Sequence, residues 1–370
     1  MRILIATGIY PPAIGGPAIY AKNLKKEWEK MGHNVVVKTY NIEYKLPPGI
    51  RHIYYFLKII PAVIWSDFIF ALDTFSVGMP VTLASRIFGK KIIMRIGGDF
   101  LWEGYVERTR DLVLLKDFYR MIIGENRDRS RDRNRDRNRE KFIEKDGKRL
   151  SKKEKLIFKL TKWTLHHVDV LIFSTAWQKD IWMNPYDLAN IRTEIVENYY
   201  GEKEESYEPS RKDFIAGARP LQWKNIEILK GIFTSEEIIE TGATYHKETC
   251  PHGEFMDKIA HSYASLLVSL GDISPNMILD TIRHNKPFII TEENGLMDRI
   301  KSISISVNPK DPKEIKEKIL WLCEENNYKM QVQKIKDFNF VHSWEEIAKE
   351  ILEVYWEVRK ESGECVLKCI

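Results

Sequence analysis

The chain has 370 residues, 44% apolar and 30% charged, which describes a soluble globular protein long enough for two domains with separate cores. Its net charge of +5 is modest for this length and does not point to nucleic acid as the main partner; it fits a protein that handles phosphate groups or touches an anionic membrane surface. Cys250, Cys323, Cys365 and Cys369 show neither metal-ligand spacing nor a disulfide framework, so a reducing, cytoplasmic setting is expected.

The N-terminus runs directly into an apolar strand, Arg2–Thr7, without the basic start and cleavage site of a signal peptide. A Pro- and Gly-rich loop, Gly8–Pro17, leads into a helix at Ala18–Met31, where Leu24, Trp28 and Met31 share one side and Gly32 ends the pattern. Asn34–Tyr40 reads as the next strand, so the opening is a βαβ unit and the sheet is expected to be parallel. Tyr54–Trp65 is too short for a membrane span, holds Lys58 and is broken by Pro61; it reads as a core helix, with contact at a membrane surface left open. The alternation continues with strands at Phe68–Leu72, Lys91–Ile96, Val170–Phe173 and Thr193–Val196. Helices fall at Gly78–Phe88, Lys155–His167 and Thr175–Trp182. Arg127–Arg139 is a low-complexity run with seven Arg, three Asp and no apolar residue. It is expected to be a disordered basic insertion spanning about 125–148, with a weak contact to phospholipid head groups or RNA as the alternative.

Gly201–Lys212 is polar and aperiodic and reads as a linker between domains at 1–200 and 213–342. The second series begins with a strand at Asp213–Ala216 and continues with strands at Leu266–Ser269, Pro287–Thr291 and Ile303–Val307. Ser343 and Glu346 form a capping-box pattern that opens a helix to about Lys360. Trp344, Ile347, Ile351 and Tyr355 line one of its faces, a stripe wide enough to pack across a domain junction.

Three constellations could carry chemistry. Gly15-Gly16 follows the first strand at a carboxyl edge of the sheet, where backbone without Cβ can approach a phosphate or sugar; a plain tight turn is the alternative. In Phe214–Lys224, Arg219 and Lys224 stand between a strand and a helix, a placement that suits a diphosphate, or else they are solvated surface charges. In Asp272–Asp280, Ser274 and Pro275 read as a helix start. Asp272 would then lie before the helix, Asp280 in its second turn, and the free N–H groups of Asn276 and Met277 in the same space. Spacing alone leaves a helix cap and one solvent-facing Asp as an equal alternative. No dinucleotide fingerprint, Walker motif or Asp-x-Asp motif occurs, and His166-His167 reads as structural.

Taken in order, these landmarks resemble the retaining glycosyltransferases of GT-B fold, family 4. They are Pro11 with Gly15-Gly16, Val196-Glu197-Asn198, Gly217-Ala218-Arg219 with Lys224, Asp272 and Asp280 followed by Lys286-Pro287, and Ser343-Trp344-Glu345. The resemblance implies two Rossmann-like α/β domains whose parallel sheets face across a cleft. It implies transfer of a sugar from a nucleotide-diphosphate sugar to a glycan or lipid-linked acceptor, with retention at the anomeric carbon and no metal cofactor. Arg219 and Lys224 would bind the diphosphate, Asp272 the transferred sugar and Asp280 the ribose. Asn276 and Met277 would offer amides, and Gly15 and Gly16 would close over the donor. His252 lies near a loop that could face the nucleotide base. The chain departs from the family pattern in two places. Both acids are Asp where Glu is usual, shortening each reach by roughly 1.5 Å. Gly97 stands near a usual His, leaving Asp99 either to orient sugar or acceptor or to cap the next helix. These departures keep a second function class open, a catalytically weak nucleotide-sugar-binding or scaffold protein. An epimerase or phosphorylase on the same fold and an NAD-linked oxidoreductase fit the motifs less well.

Overall fold

The computed structural model describes residues 1–13, 15–40, 42–131, 150–217, 221–248 and 250–361. Arg219, and 132–149 of the arginine-rich insertion, lie outside the described residues, as do Cys365 and Cys369. The chain divides into two compact units. The first comprises Met1–Gly98, Ser151–Tyr199 and His342–Ile370, and the second Asp99–Leu150 and Tyr200–Val341.

The first unit alternates β1 (Arg2–Thr7), α1 (Gly16–Lys30), β2 (Asn34–Thr39), α2 (Ile50–Trp65), β3 (Phe68–Ala71), α3 (Gly78–Ile87) and β4 (Lys91–Arg95). The chain then forms α4 (Phe100–Thr109) and α5 (Leu115–Arg131), both grouped with the second unit. It returns with α6 (Lys152–Leu165), β5 (Val170–Phe173), α7 (Ala176–Tyr186) and β6 (Thr193–Ile195). The sheet is parallel throughout, in the order β2-β1-β3-β4-β5-β6. Alternate residues of β1 serve opposite faces, so a strand covered on both sides reads as a continuous apolar run. Ile3 and Ile5 join Leu24, Trp28 and Phe70 in one core.

The second unit contains β7 (Asp213–Gly217), a 3-10 turn at Gln222–Lys224, α8 (Glu227–Phe233), α9 (Glu236–Glu240), β8 (Thr244–Glu248), α10 (His252–His261) and β9 (Ala264–Leu267). After these come α11 (Asn276–Arg283), β10 (Phe288–Thr291), α12 (Met297–Ile300), β11 (Ile305–Val307), α13 (Pro312–Cys323) and α14 (Glu325–Asp337). Its parallel sheet has the order β11-β10-β9-β7-β8. Leu266 and Ile289 point into the core shared with α8 and α13, whereas Leu267 and Ile290 point into the core shared with α10 and α11. Chain order reverses between β7 and β9, a topological switch point, where the connections leave to opposite faces and open a crevice at the strands' carboxyl ends.

The last helix, α15 (Trp344–Glu361), carries the expected capping box, with Ser343 N–H donating to Glu346 at 2.7 Å and Glu346 N–H to Ser343 Oγ at 3.2 Å. Its apolar face belongs to the core of the first unit. Tyr355 stacks on Phe68 at 4.7 Å, and the Trp28 indole N–H donates to the Ala348 carbonyl at 3.0 Å. The segment read as a linker is stitched to the second unit. Glu204 N–H donates to the Arg283 carbonyl at 2.8 Å and Tyr207 N–H to that of Ala260 at 3.0 Å. Lys203 Nζ donates to the Ile282 and Ile335 carbonyls, and Lys286 Nζ to that of Tyr207.

Two sequence expectations differ from the structure in ways that matter. Strand β8 was not expected, because Thr244–Glu248 is a polar edge strand that buries little. The helix expected at Tyr54–Trp65 begins at Ile50, and Pro61 sits inside it. It is more than a core helix. Tyr55, Ile59, Ala62 and Val63 are buried, but its opposite face is exposed and equally apolar.

Candidate functional site

The residues singled out in the second half of the sequence collect at the switch point. Strand β7 ends at Gly217, where a Cβ would lie 2.2 Å from the Phe255 ring, so a larger residue would have to push that ring aside. Beyond 218–220, the turn Gln222–Lys224 is fixed on several sides. Gln222 N–H donates to the Glu107 carboxylate at 2.5 Å, the Trp223 carbonyl accepts from Leu270 N–H at 2.9 Å, and the Trp223 ring lies 5.5 Å from Trp102. Asn225 then takes a left-handed conformation (φ 55°), and its side-chain amide donates to the carbonyls of Val268 (3.2 Å) and Pro309 (2.7 Å). Lys224 therefore leaves an immobilised base. Its ammonium lies 4.2 Å from the centre of the Trp223 ring and 2.7 Å from Asp272 Oδ2.

Asp272 reaches that position from the loop after β9. Its N–H donates to the Glu293 carbonyl at 2.9 Å and its carbonyl accepts from Gly295 N–H at 3.1 Å, forming a short parallel bridge just past the end of the sheet. The preceding Gly271 has no room for a Cβ, which would stand 2.7 Å from Leu115 Cβ. The Glu293 side chain is buried against Lys116 of α5; burial pushes its carboxyl above the usual range and the lysine opposes that shift. The side chains of Lys224 and Asp272 are 15% and 13% exposed, which leaves the pair open at one edge.

Pro275 precedes α11, so Asn276 and Met277 supply its first two N–H groups, which have no acceptor within the helix. Met277 lies against the end of β7, its sulfur accepting from Gly217 N–H at 3.1 Å. One turn on, Asp280 has Oδ2 3.2 Å from His252 Nε2 and Oδ1 3.4 Å from Arg283 Nη1. The Asp280 contact raises the His252 pKa above 6.5, against an opposing effect of burial. The site thus joins cations, carboxylates and first-turn amides from the turn after β7, the loop after β9 and the start of α11. Among the described residues, no group of three or more His, Cys, Asp or Glu side chains is placed to hold a metal ion.

The remaining expected residues lie elsewhere. Gly15 is the N-cap of α1, and a Cβ there would stand 2.7 Å from Ile9 Cδ1; Gly16 opens the helix at the carboxyl end of β1. Of the two roles open to Asp99 from the sequence, the structure displays the cap. Its Oδ1 accepts from Trp102 N–H at 2.9 Å, its Oδ2 from the Tyr119 hydroxyl at 2.6 Å, and the residue is 2% exposed. The Gly97 carbonyl accepts from Gln178 at 2.7 Å. His166 and His167 each bond a backbone carbonyl at 2.7 Å, as structural residues do. Sequence reasoning missed Trp223, Glu107, Glu293 and Lys116, which hold the site from outside. It also missed Arg95, which is packed over Tyr20 and bonded to Asn198 in the first unit.

No family model and no curated protein matches the chain by sequence. Solved structures do match its fold. Sucrose-phosphate synthase from Thermosynechococcus elongatus superimposes with a TM-score of 0.66 at 11% identity, over 97% of this chain and 99% of that one. The catalytic domain of starch synthase IV from Arabidopsis thaliana, bound to ADP and acarbose, gives 0.62 at 10% identity, over 97% and 99%. Anabaena HepE, in complex with UDP and glucose, gives 0.57 at 11% identity, over 99% and 100%. With two parallel α/β sheets of six and five strands and these likenesses over nearly its whole length, the chain has the GT-B fold.

Proposed function

We propose that the protein is a glycosyltransferase that binds a nucleotide-diphosphate sugar at the switch point of its second unit and transfers the sugar to a glycan or lipid-linked acceptor with retention. The observation that carries this reading is the Lys224–Asp272 pair, set by loops after β7 and β9 where the sheet's order reverses. Lys224 faces the diphosphate, and the Asp272 carboxylate accepts from sugar hydroxyls. The N–H groups of Asn276 and Met277 meet phosphate or sugar oxygens, and Asp280 takes the ribose diol. Arg219 supplies a second cation to the diphosphate. At the carboxyl end of β1 in the first unit, Gly15 and Gly16 offer backbone that a sugar or phosphate can approach closely. The bond from the anomeric carbon to the diphosphate oxygen breaks, a bond to the acceptor oxygen forms, and the proton of the acceptor hydroxyl passes to the departing diphosphate. Cations and amides fixed before the reaction stabilise the charge that collects on the departing diphosphate, and this reading needs no metal. ADP and acarbose in one structural neighbour, and UDP and glucose in another, support the same ligand chemistry.

The test is to incubate the purified chain with a panel of nucleotide sugars, with and without glycan and lipid-linked acceptors. The expected result is release of a nucleoside diphosphate and a glycosylated product whose anomeric configuration matches the donor. Tight donor binding with no release under any condition would favour the scaffold reading, and failure of every donor to bind would end both.

A further inference from the structure

Right-handed crossovers place α2, α3, α6 and α7 on one face of the first unit's sheet, because each connects strands in the same direction along it; α7, with its exposed Asp180, lies at the β6 edge, farthest from α2. Helix α3 packs against α2 on one side and α6 on the other. The outward side of this layer is unusual for a protein surface. Ile50, Ile53, Tyr54, Leu57 and Ile64 of α2 are each at least 44% exposed and recur at helical spacing along one stripe. Leu83 and Ile87 of α3 and Leu156 of α6 extend the apolar surface. Neither α2 nor α3 contains an acidic residue, and the one acid of α6, Glu154, is buried in a capping box with Ser151. On α6, Lys152, Lys153, Lys155 and Lys159 are all exposed.

We infer that this three-helix face docks on the surface of an anionic phospholipid bilayer. Helix α2 lies in the headgroup plane with its Ile53–Leu57 stripe among the acyl chains, and the α6 lysines lie against lipid phosphates. An amphipathic helix in one layer with a lysine cluster, with no exposed acid on α2, α3 or α6, has the chemistry of a surface-bound element. Among the described residues no helix is long and apolar enough to cross a membrane, so contact is from one side. Charge selects the lipid over a second copy of this chain, because α2, α3 and α6 expose no acid and a copy of the same face would offer the α6 lysines no counter-charge, whereas lipid phosphates do. The inference stands on the first unit alone and does not depend on the reading of the second.

The test is flotation of the full chain with vesicles of phosphatidylcholine containing phosphatidylglycerol, and with pure phosphatidylcholine vesicles. Two variants change exposed residues only, Ile53→Glu/Leu57→Glu and Lys152→Glu/Lys155→Glu/Lys159→Glu, with circular dichroism to confirm folding. The wild type is expected to float with the anionic vesicles, and each variant to bind them at least about tenfold more weakly. Absence of wild-type binding, or binding unchanged in both variants, would overturn the inference. So would a wild-type dimer in solution that the Ile53→Glu/Leu57→Glu variant dissolves, since the face would then belong to a second copy.

Discussion

Lys224 and Asp272 are 48 residues apart in the chain and 2.7 Å apart in the fold. The two loops that carry them come from adjacent strands, β7 and β9, of one sheet. Each side chain is mostly enclosed, so neither charge is fully solvated without the other.

Breaking that pair from either side therefore costs stability. Lys224→Met or Asp272→Asn alone is expected to destabilise the chain by about 1 to 3 kcal/mol, because each leaves its partner enclosed without a counter-ion. The double variant is expected to lose less than the sum, by a coupling of about 0.5 to 3 kcal/mol. Urea unfolding of the four proteins measures the cycle, and strictly additive losses would mean that the pair is not formed.

Asp99 separates capping from charge. Asparagine caps a helix about as well as aspartate, whereas alanine does not, so Asp99→Ala is expected to cost about 1 to 2 kcal/mol and Asp99→Asn markedly less. Sugar transfer by Asp99→Asn is expected to stay near wild type. A large loss of turnover in that folded variant would assign the carboxylate a direct role.

Two buried lysines give the second unit a distinctive pH dependence. Burial lowers Lys203 and Lys286 to about 8 from an ordinary value of 10.5. Below pH 8 both are protonated in the folded and the unfolded chain, and the cost of burying the charge is fully present. Between 8 and 10.5 the unfolded chain binds more protons, so stability rises with pH. From about pH 10 upward an opposing effect sets in. Burial raises the Tyr263 and Tyr328 phenols well above 10, and their contribution is lost as the unfolded tyrosines ionise. Urea midpoints are expected to climb from pH 8 to pH 10, with a smaller slope in Lys286→Met. A flat or falling profile in that window would contradict the burial of these amines.

His252 reports on Asp280. Its raised pKa means that their contact stabilises the fold fully below pH 6.5 and fades as pH rises through the folded value. If a nucleotide ribose takes Asp280, His252 loses its partner and its pKa falls toward 6.5. Histidine resonances followed by NMR, with and without UDP or ADP, are expected to show that fall, and Asp280→Asn is expected to reproduce it without ligand. A His252 pKa that bound nucleotide leaves unchanged would remove Asp280 from the ribose contact.

The parts of this structure legible in the sequence are those governed by local rules. Strands β1, β3 and β5 are buried on both faces and read as unbroken apolar runs. The Ser343–Glu346 box marks the start of α15 without any tertiary information. Strand β9 was placed two residues late, because Val268 and Leu270 stay buried after the ladder ends and the apolar run continues into the loop that holds Asp272. Lys224, Asp272, Asp280 and His252 were visible as residues, but the Lys224–Asp272 and His252–Asp280 contacts were not. His252, Glu293 and Lys116 approach from other elements, and nothing in their spacing along the chain encodes those contacts. The grouping of α4 and α5 with the second unit rests on Glu107, Trp102 and Leu115 meeting the turn at Gln222 and the loop at Leu270, again through tertiary contacts alone.

The most direct test of the central claim is calorimetric titration of the wild type, Lys224→Met and Asp280→Ala with UDP, ADP and GDP. At least one nucleoside diphosphate is expected to bind the wild type. Removing Lys224 is expected to weaken that binding by at least about tenfold, as loss of a charge-assisted phosphate contact should. Wild-type affinity in folded Lys224→Met, or no binding of any nucleoside diphosphate to the wild type, would contradict the placement of the donor at this switch point.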